Sequence, residues 1–396
     1  MTTSILPASK MTASRLDRRT PGQAVRFIRD HFLLLPLGAA IALVWANTAG
    51  ESYFRFALAW AWPVNEIGMA FFVALIAQDV YEVVMPGGAL HTWRYWALPM
   101  AGAVGGFVGA AMTFAAYVAL VHEGPLLQAW PVACAVDVAA AYMVLRMIYP
   151  HRSRPLAFVL LLAVVTDVMV IAVATLNAPD FEFTPAAALL LLVALAMAAV
   201  MRRANVRSFL PYWLGPGTLS WLSFYLMGIH PALALVPIVP LLPHGPRPVD
   251  AFDDREDADP VHHSEHQWNE VAQLALFMFG LVNAGVIISH YDSGTWAVLI
   301  AALAGRPLGI IGGIGFAVAA GLSLPRGVRW RDVVVIALAT TSGFTFALFV
   351  TTAVLPIGAV SSQITLGALL TAVGAGVTFL VAWQTGAARF GHRKAA

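Results

Sequence analysis

The sequence predicts an all-α polytopic membrane protein with about twelve transmembrane helices, on three observations. Apolar side chains make up 60% of its 396 residues and charged ones only 11%. The apolar residues come in blocks of about 20, the length a helix rising 1.5 Å per residue needs to cross a hydrocarbon core roughly 30 Å thick. The basic residues cluster in alternate connections, as the positive-inside rule requires of a chain that crosses back and forth.

Apolar runs between polar breaks place the helices at 32–47, 66–85, 96–121, 127–147, 156–176, 185–201, 208–227, 230–242, 270–289, 296–324, 333–355 and 363–384. The chain then divides into a tail (1–31), helices one to eight (32–242), a polar connection (243–267), helices nine to twelve (268–385) and a basic tail (386–396). Pro216, Pro231, Pro237 and Pro240 interrupt the block 208–242, whose second helix is short for a full span. The tail 1–31 is polar and basic, with no short apolar core or small-residue cleavage site, so the first block reads as an uncleaved anchor. Tails and loops after even-numbered helices hold 21 of the 23 lysines and arginines, and the opposite loops hold Arg55 alone. Both termini are therefore expected in the cytoplasm.

The lone cysteine, Cys134, rules out an intrachain disulfide and a multi-cysteine metal site. The sequence carries no nucleotide-binding loop, which disfavours an ATP-driven pump and favours a gradient-driven carrier without cofactors, whose surroundings are the lipid bilayer and small ions and not nucleic acid. The connection 243–267 combines seven acids with His262, His263 and His266. It reads first as a solvated loop and second as a metal or pH sensor. Glycine pairs at four-residue spacing, Gly102 with Gly106, Gly105 with Gly109 and Gly305 with Gly309, are expected to let helices three and ten approach neighbours closely.

Three ionisable residues lie inside spans: Asp137 in helix four, Asp167 in helix five and Arg306 in helix ten. Each is ten or eleven residues from the start of its helix, about 15–17 Å deep, which is the bilayer centre. Charges there are expensive and mark a pathway or a buried pair. Two carboxylates against one guanidinium leave a negative site that needs a proton or a metal cation, and competition between those two for one carboxylate is the chemistry of an antiporter. The plainer alternative is a static ion pair that locks helices together. Asp79 and Glu82, in the cytoplasmic half of helix two, either line a cation access funnel or snorkel to the interface; Glu66, at the opposite end, reads as a boundary residue.

At these residues the sequence resembles the NhaA family of sodium/proton antiporters, from about residue 30 to 385. The stretches that carry the likeness are Asn65-Glu66-Ile-Gly-Met-Ala-Phe-Phe, Gly228-Ile-His230, Asn283-Ala-Gly-Val, Gly305-Arg306-Pro-Leu-Gly-Ile and Gly343-Phe-Thr345. The resemblance implies inverted repeats, a core beside a panel domain, and two crossed, discontinuous helices at the midplane. It puts Val136 and Asp137 in the first unwound segment and Ser342, Gly343 and Thr345 in the second. Asp167 then matches the carboxylate that binds cation and proton, and His230 a histidine linked to pH response. It also implies a bacterial-type inner membrane and a homodimer.

Three positions depart from the family pattern: Thr166 replaces the first of two paired aspartates, Arg306 replaces the helix-ten lysine, and Val136 removes a hydroxyl. Arginine keeps its proton where a lysine can release it. The expectation is a secondary antiporter exchanging one Na+ or Li+ for one proton without net charge movement, with Asp167 as the ion ligand, Thr166 lending an oxygen, Asp137 holding the crossing and Arg306 as fixed countercharge. Two alternatives stand beside it: a non-transporting sensor or scaffold with a permanent Arg306–Asp167 pair, and a carrier of the same fold that binds an anion on Arg306.

Overall fold

The computed structural model describes residues 34–84, 93–150, 153–176, 183–206, 208–242, 273–325 and 327–387. All regular structure among them is helical. The tails 1–31 and 388–396 and the acidic, histidine-containing connection 243–267 lie outside the described residues.

Helix α1 (Leu34–Thr48) leads into α2 (Gly50–Trp62), which continues through a π-helical turn, Pro63–Gly68, into α3 (Met69–Val84). The second span therefore starts at Gly50 and not at 66. Two local signals that read as breaks are absorbed by the helix. Pro63 takes the first position of the wide turn, so the ladder loses one donor while the helix continues. Glu51 and Arg55, one turn apart, pair at 2.7 Å on the exposed face.

Helix α4 (Trp93–Val121) runs unbroken past Pro99. A 3-10 segment, Gly124–Ala129, opens α5 (Trp130–Cys134); three extended residues follow, and the chain resumes as α6 (Val138–Ile148). Helices α7 (Arg154–Leu176) and α8 (Pro185–Arg203) are regular. A short turn, Leu210–Tyr212, and a π-helical segment around Pro216 precede α9 (Thr218–Leu226).

The eighth expected helix, 230–242, is absent as such. Its place is taken by two 3-10 turns, Pro231–Leu233 and Val239–Leu241, joined by hydrogen-bonded turns. Three prolines in ten residues remove the donors and impose the clashes that stop a regular helix. The freed backbone is satisfied in part from α9, where Ser220 Oγ donates to the Ala234 carbonyl at 2.6 Å.

Helix α10 (Gln273–Asn283) is tied to the start of the chain. Tyr53 donates to the Val282 carbonyl and accepts from the Gly285 N–H, both at 2.9 Å. Asn65 and Asn283 exchange amide hydrogen bonds at 3.1 and 2.7 Å. A side chain at Gly285 would lie 2.0 Å from the Tyr53 ring, so the glycine of the Asn-Ala-Gly-Val stretch is required by close approach.

Helix α11 (Ser293–Ile300) passes through a π-helical turn, Ala301–Gly305, into α12 (Arg306–Ala319). The thirteenth and fourteenth helices, α13 (Trp330–Ala339) and α14 (Phe344–Val354), are one apolar segment bent by 49° at its break. Helices α15 (Ala359–Leu370) and α16 (Val373–Gln384) close the described chain.

Six of these helical segments are long and apolar enough to span a membrane, and α13 with α14 adds a seventh. The twelve-span reading counts also the shorter helices α1 and α10, the interrupted pair α5 and α6, the helical run 210–226 that ends in α9, and 230–242, which holds only 3-10 turns. Exposed apolar side chains such as Leu120 and Phe316 mark the lipid-facing surface.

The close approach expected of helices three and ten is made to each other. Gly105 faces Gly309 and Gly313, and Gly109 faces Gly305 and Gly309, so closely that an added Cβ at any of them would lie 2.1–2.9 Å from the opposing chain. Gly309→Leu is therefore expected to force α4 and α12 apart and to destabilise the protein by about 1–3 kcal/mol, seen as a lower Tm of detergent-solubilised protein. Gly312, with open space around it, should accept alanine without change.

Candidate ion-binding site at two helix breaks

The two interruptions meet. The Asp137 N–H donates to the Ser342 carbonyl at 3.3 Å, and a Cβ on Gly343 would lie 2.4 Å from the Ala135 carbonyl oxygen. Only glycine lets the two chains come this close, which accounts for Gly343 in the Gly-Phe-Thr stretch.

An interrupted helix in a membrane exposes backbone groups that no water reaches, and each end carries a partial charge. The buried charges answer these ends. Asp137, in extended conformation, is the N-cap of α6, and its carboxylate accepts from the Ala140 N–H at 3.0 Å. Arg306 is only 2% exposed, and its two terminal nitrogens donate to the carbonyls of Ala133, in the last turn of α5, and Thr340, at the end of α13, each at 2.5 Å. One guanidinium fork thus caps the negative ends of two half-helices from different parts of the chain. The positive start of α14 follows Gly343, which supplies no capping side chain. Thr371 Oγ1 instead accepts from the Gly343 N–H at 3.3 Å.

Asp167 sits midway along α7, 1% exposed. Its carboxylate accepts from the Val136 backbone N–H and lies in the fields of Asp137 and Arg306. The Val136 contribution comes from the main chain, so the valine leaves that contact intact. Asp167 Oδ1 is buried with no hydrogen-bond partner, and so is Arg306 Nε. The permanent Arg306–Asp167 pair required by the scaffold reading is therefore not formed; the arginine is spent on carbonyls. Thr166, 2% exposed, donates its hydroxyl hydrogen to the Leu162 carbonyl at 2.9 Å, which leaves the oxygen lone pairs as its remaining capacity. Ser342 and Thr345 are both buried beside the break.

The structure thus brings Asp137, Val136, Asp167, Arg306, Ser342 and Gly343 to the two breaks, with Thr166 next to Asp167 on α7 and Thr345 in the first turn of α14. His230 lies apart: its Nδ1 accepts from the Ala232 N–H at 3.3 Å and caps the turn that begins at Pro231. The backbone puts Asp79 and Glu82 on α3, but their side chains lie outside the described residues. Among the described residues no group of three histidine, cysteine or carboxylate side chains is placed to hold a metal ion.

Sequence reasoning missed Asp332, buried at 5% exposure. It accepts from the Arg329 N–H at 2.8 Å and from the Tyr149 hydroxyl at 2.9 Å, joining the start of α13 to the end of α6. An acid three residues after a helix start is a capping signal and marked it in the sequence.

Membrane-length helices, with two helix breaks meeting beside a buried carboxylate that has one oxygen unpartnered, fit the secondary-transporter class. The chain belongs to the family described as Na+/H+ antiporter 1, which it matches over residues 29–382. A protein of Desulfitobacterium hafniense named Na(+)/H(+) antiporter NhaA is 36% identical over 375 residues, covering 91% of this chain and 95% of that one. The protein of the same name from Geotalea uraniireducens is 33% identical, with 93% and 98% covered. The fold is similar to that of the sodium proton antiporter MjNhaP1 from Methanocaldococcus jannaschii, with a TM-score of 0.52, 14% identity, and 92% and 94% of the chains covered. Family and fold together support cation/proton exchange by a multi-pass membrane protein.

Arg306→Ala leaves two buried carbonyls unpaired at roughly 1–3 kcal/mol each, so a stability loss of at least about 2 kcal/mol is expected in thermal melts, while Arg306→Lys, keeping one charge but not the fork, should fall between it and the wild type.

Proposed function

We propose that the protein exchanges one Na+ or Li+ for one proton at Asp167 by alternating access. The observation that carries this reading is the Asp167 carboxylate itself, buried at the meeting of two broken helices with one oxygen unpaired. A carboxylate in that state holds either a proton or a cation, and Thr166, the next residue along α7, is the neutral oxygen we assign beside it. Asp137 caps the α6 N-terminus and joins the two breaks, which we read as the crossing that the family resemblance implies. Arg306, charged at any accessible pH, offers no second proton. With a threonine beside Asp167, one carboxylate is left to alternate between its two occupants, and the cycle moves no net charge.

The core would present Asp167 first to one face and then to the other, with Arg306 as a fixed countercharge. The distribution of basic residues supports cytoplasmic termini in a bacterial-type inner membrane, and the family supports a homodimer. The anion-carrier alternative is weakened because both terminal nitrogens of Arg306 are already engaged.

In proteoliposomes, Asp167→Asn is expected to reduce sodium- and lithium-driven proton flux to background; flux that persists overturns the assignment. Wild-type flux should be indifferent to an imposed voltage, since a net charge per cycle would feel about 2.3 kcal/mol per 100 mV.

A further inference from the structure

A cavity of about 340 Å³ opens beside the ends of α7 and α14 that are remote from the arginine-rich loops. Its wall includes Glu66 on the π-helical turn before α3, Ile171 and Thr175 on α7, Tyr225 at the end of α9, His230, and Phe349 on α14. Ile171 and Thr175 follow Asp167 by four and eight residues. They therefore continue one stripe of α7, and the near edge of the cavity is one turn, about 6 Å along the axis, from Asp167.

Glu66 is half-buried, and its Oε2 is fully buried with no hydrogen-bond partner among the described residues. The nearby donors are committed elsewhere. Trp221 Nε1 goes to the main-chain carbonyl of Glu66 at 3.1 Å, and the Asn65 amide goes to Asn283. Among the described residues no lysine or arginine lines the cavity. Its Oε2 thus faces no cation and no hydrogen-bond donor among the described residues.

The remaining groups define what it would hold. His230 Nδ1 is used as an acceptor, so the neutral ring carries its proton on Nε2 and has no lone pair left for a metal. Its ring meets Phe349 edge-on at 5.4 Å in the cavity wall. Thr175 gives its hydroxyl hydrogen to the Ile171 carbonyl at 2.9 Å and keeps its oxygen lone pairs. The donors are one carboxylate and neutral oxygens, a set that suits a hard monovalent cation and not a nitrogen- or sulfur-seeking metal.

We propose that this cavity is a second, outer cation site, in which Glu66 holds a sodium-class ion before it passes along α7 to Asp167. The proposal rests on cation exchange at Asp167. The test is equilibrium binding of 22Na+ to purified full-length protein carrying Asp167→Asn, which silences the central site. Sodium binding should remain in that variant, weaken about tenfold or more when Glu66→Gln is added, and survive within about threefold with Glu66→Asp. In proteoliposomes with Asp167 intact, Glu66→Gln should raise the KM for sodium offered on the cavity side about tenfold, with kcat within about twofold and the KM on the other face unchanged. Thermal melts of each variant check folding, and the Glu66→Asp form separates loss of the carboxylate from loss of structure. Equal sodium binding with and without Glu66→Gln, or no binding to the Asp167→Asn protein, overturns the outer site. Glu66-dependent binding in a protein that shows no proton-coupled flux would instead sink exchange at Asp167 and leave the outer site standing.

Discussion

Breaking a helix halfway through a membrane strands main-chain donors and acceptors where no solvent can meet them, and everything else in this structure depends on how those ends are met. Here the answer uses side chains of fixed charge. Arg306 reaches the carbonyl ends of α5 and α13, Asp137 takes the amide end of α6, and the two breaks share a main-chain hydrogen bond from Asp137 to Ser342. Once those charges are spent on the backbone, Asp167 is left beside the breaks with one carboxylate oxygen unpaired. The proposed ion ligand is thus what remains when the helix ends have been satisfied.

The packing of α4 against α12 serves the same end. Arg306 opens α12, and the glycines around it, Gly305 and Gly309, lie against Gly105 and Gly109 at backbone distance. Bulky side chains there would lift α12 away and pull the guanidinium out of reach of both carbonyls. The small residues read from the sequence as packing features therefore also set the depth and direction of the central charge.

The buried charges were legible because an ionisable residue inside an apolar run stands out on cost alone. Their partners were not, because Arg306 binds main-chain carbonyls, which every residue possesses and no residue type announces. The start of α2 was hidden by Glu51, Arg55 and Pro63, each a local signal of a break that an ion pair and a wide turn neutralise. The converse holds for 230–242, where apolar composition suggested a helix and the prolines prevented one. The stretches around Asn65 and Asn283 carried the family resemblance, yet nothing in either reveals that their amides bind each other. Glu66 read as a boundary residue for want of any view of what covers it.

That reciprocal pair of amides has a consequence for how the carrier behaves across conditions. Neither partner gains or loses a charge in water, and the Tyr53 bridge beside it links a neutral phenol to main-chain groups. The seam joining the second and ninth spans is therefore blind to acidity, salt and voltage alike. What the medium does to this protein it does through ionisable groups elsewhere, on a frame whose grip here does not change.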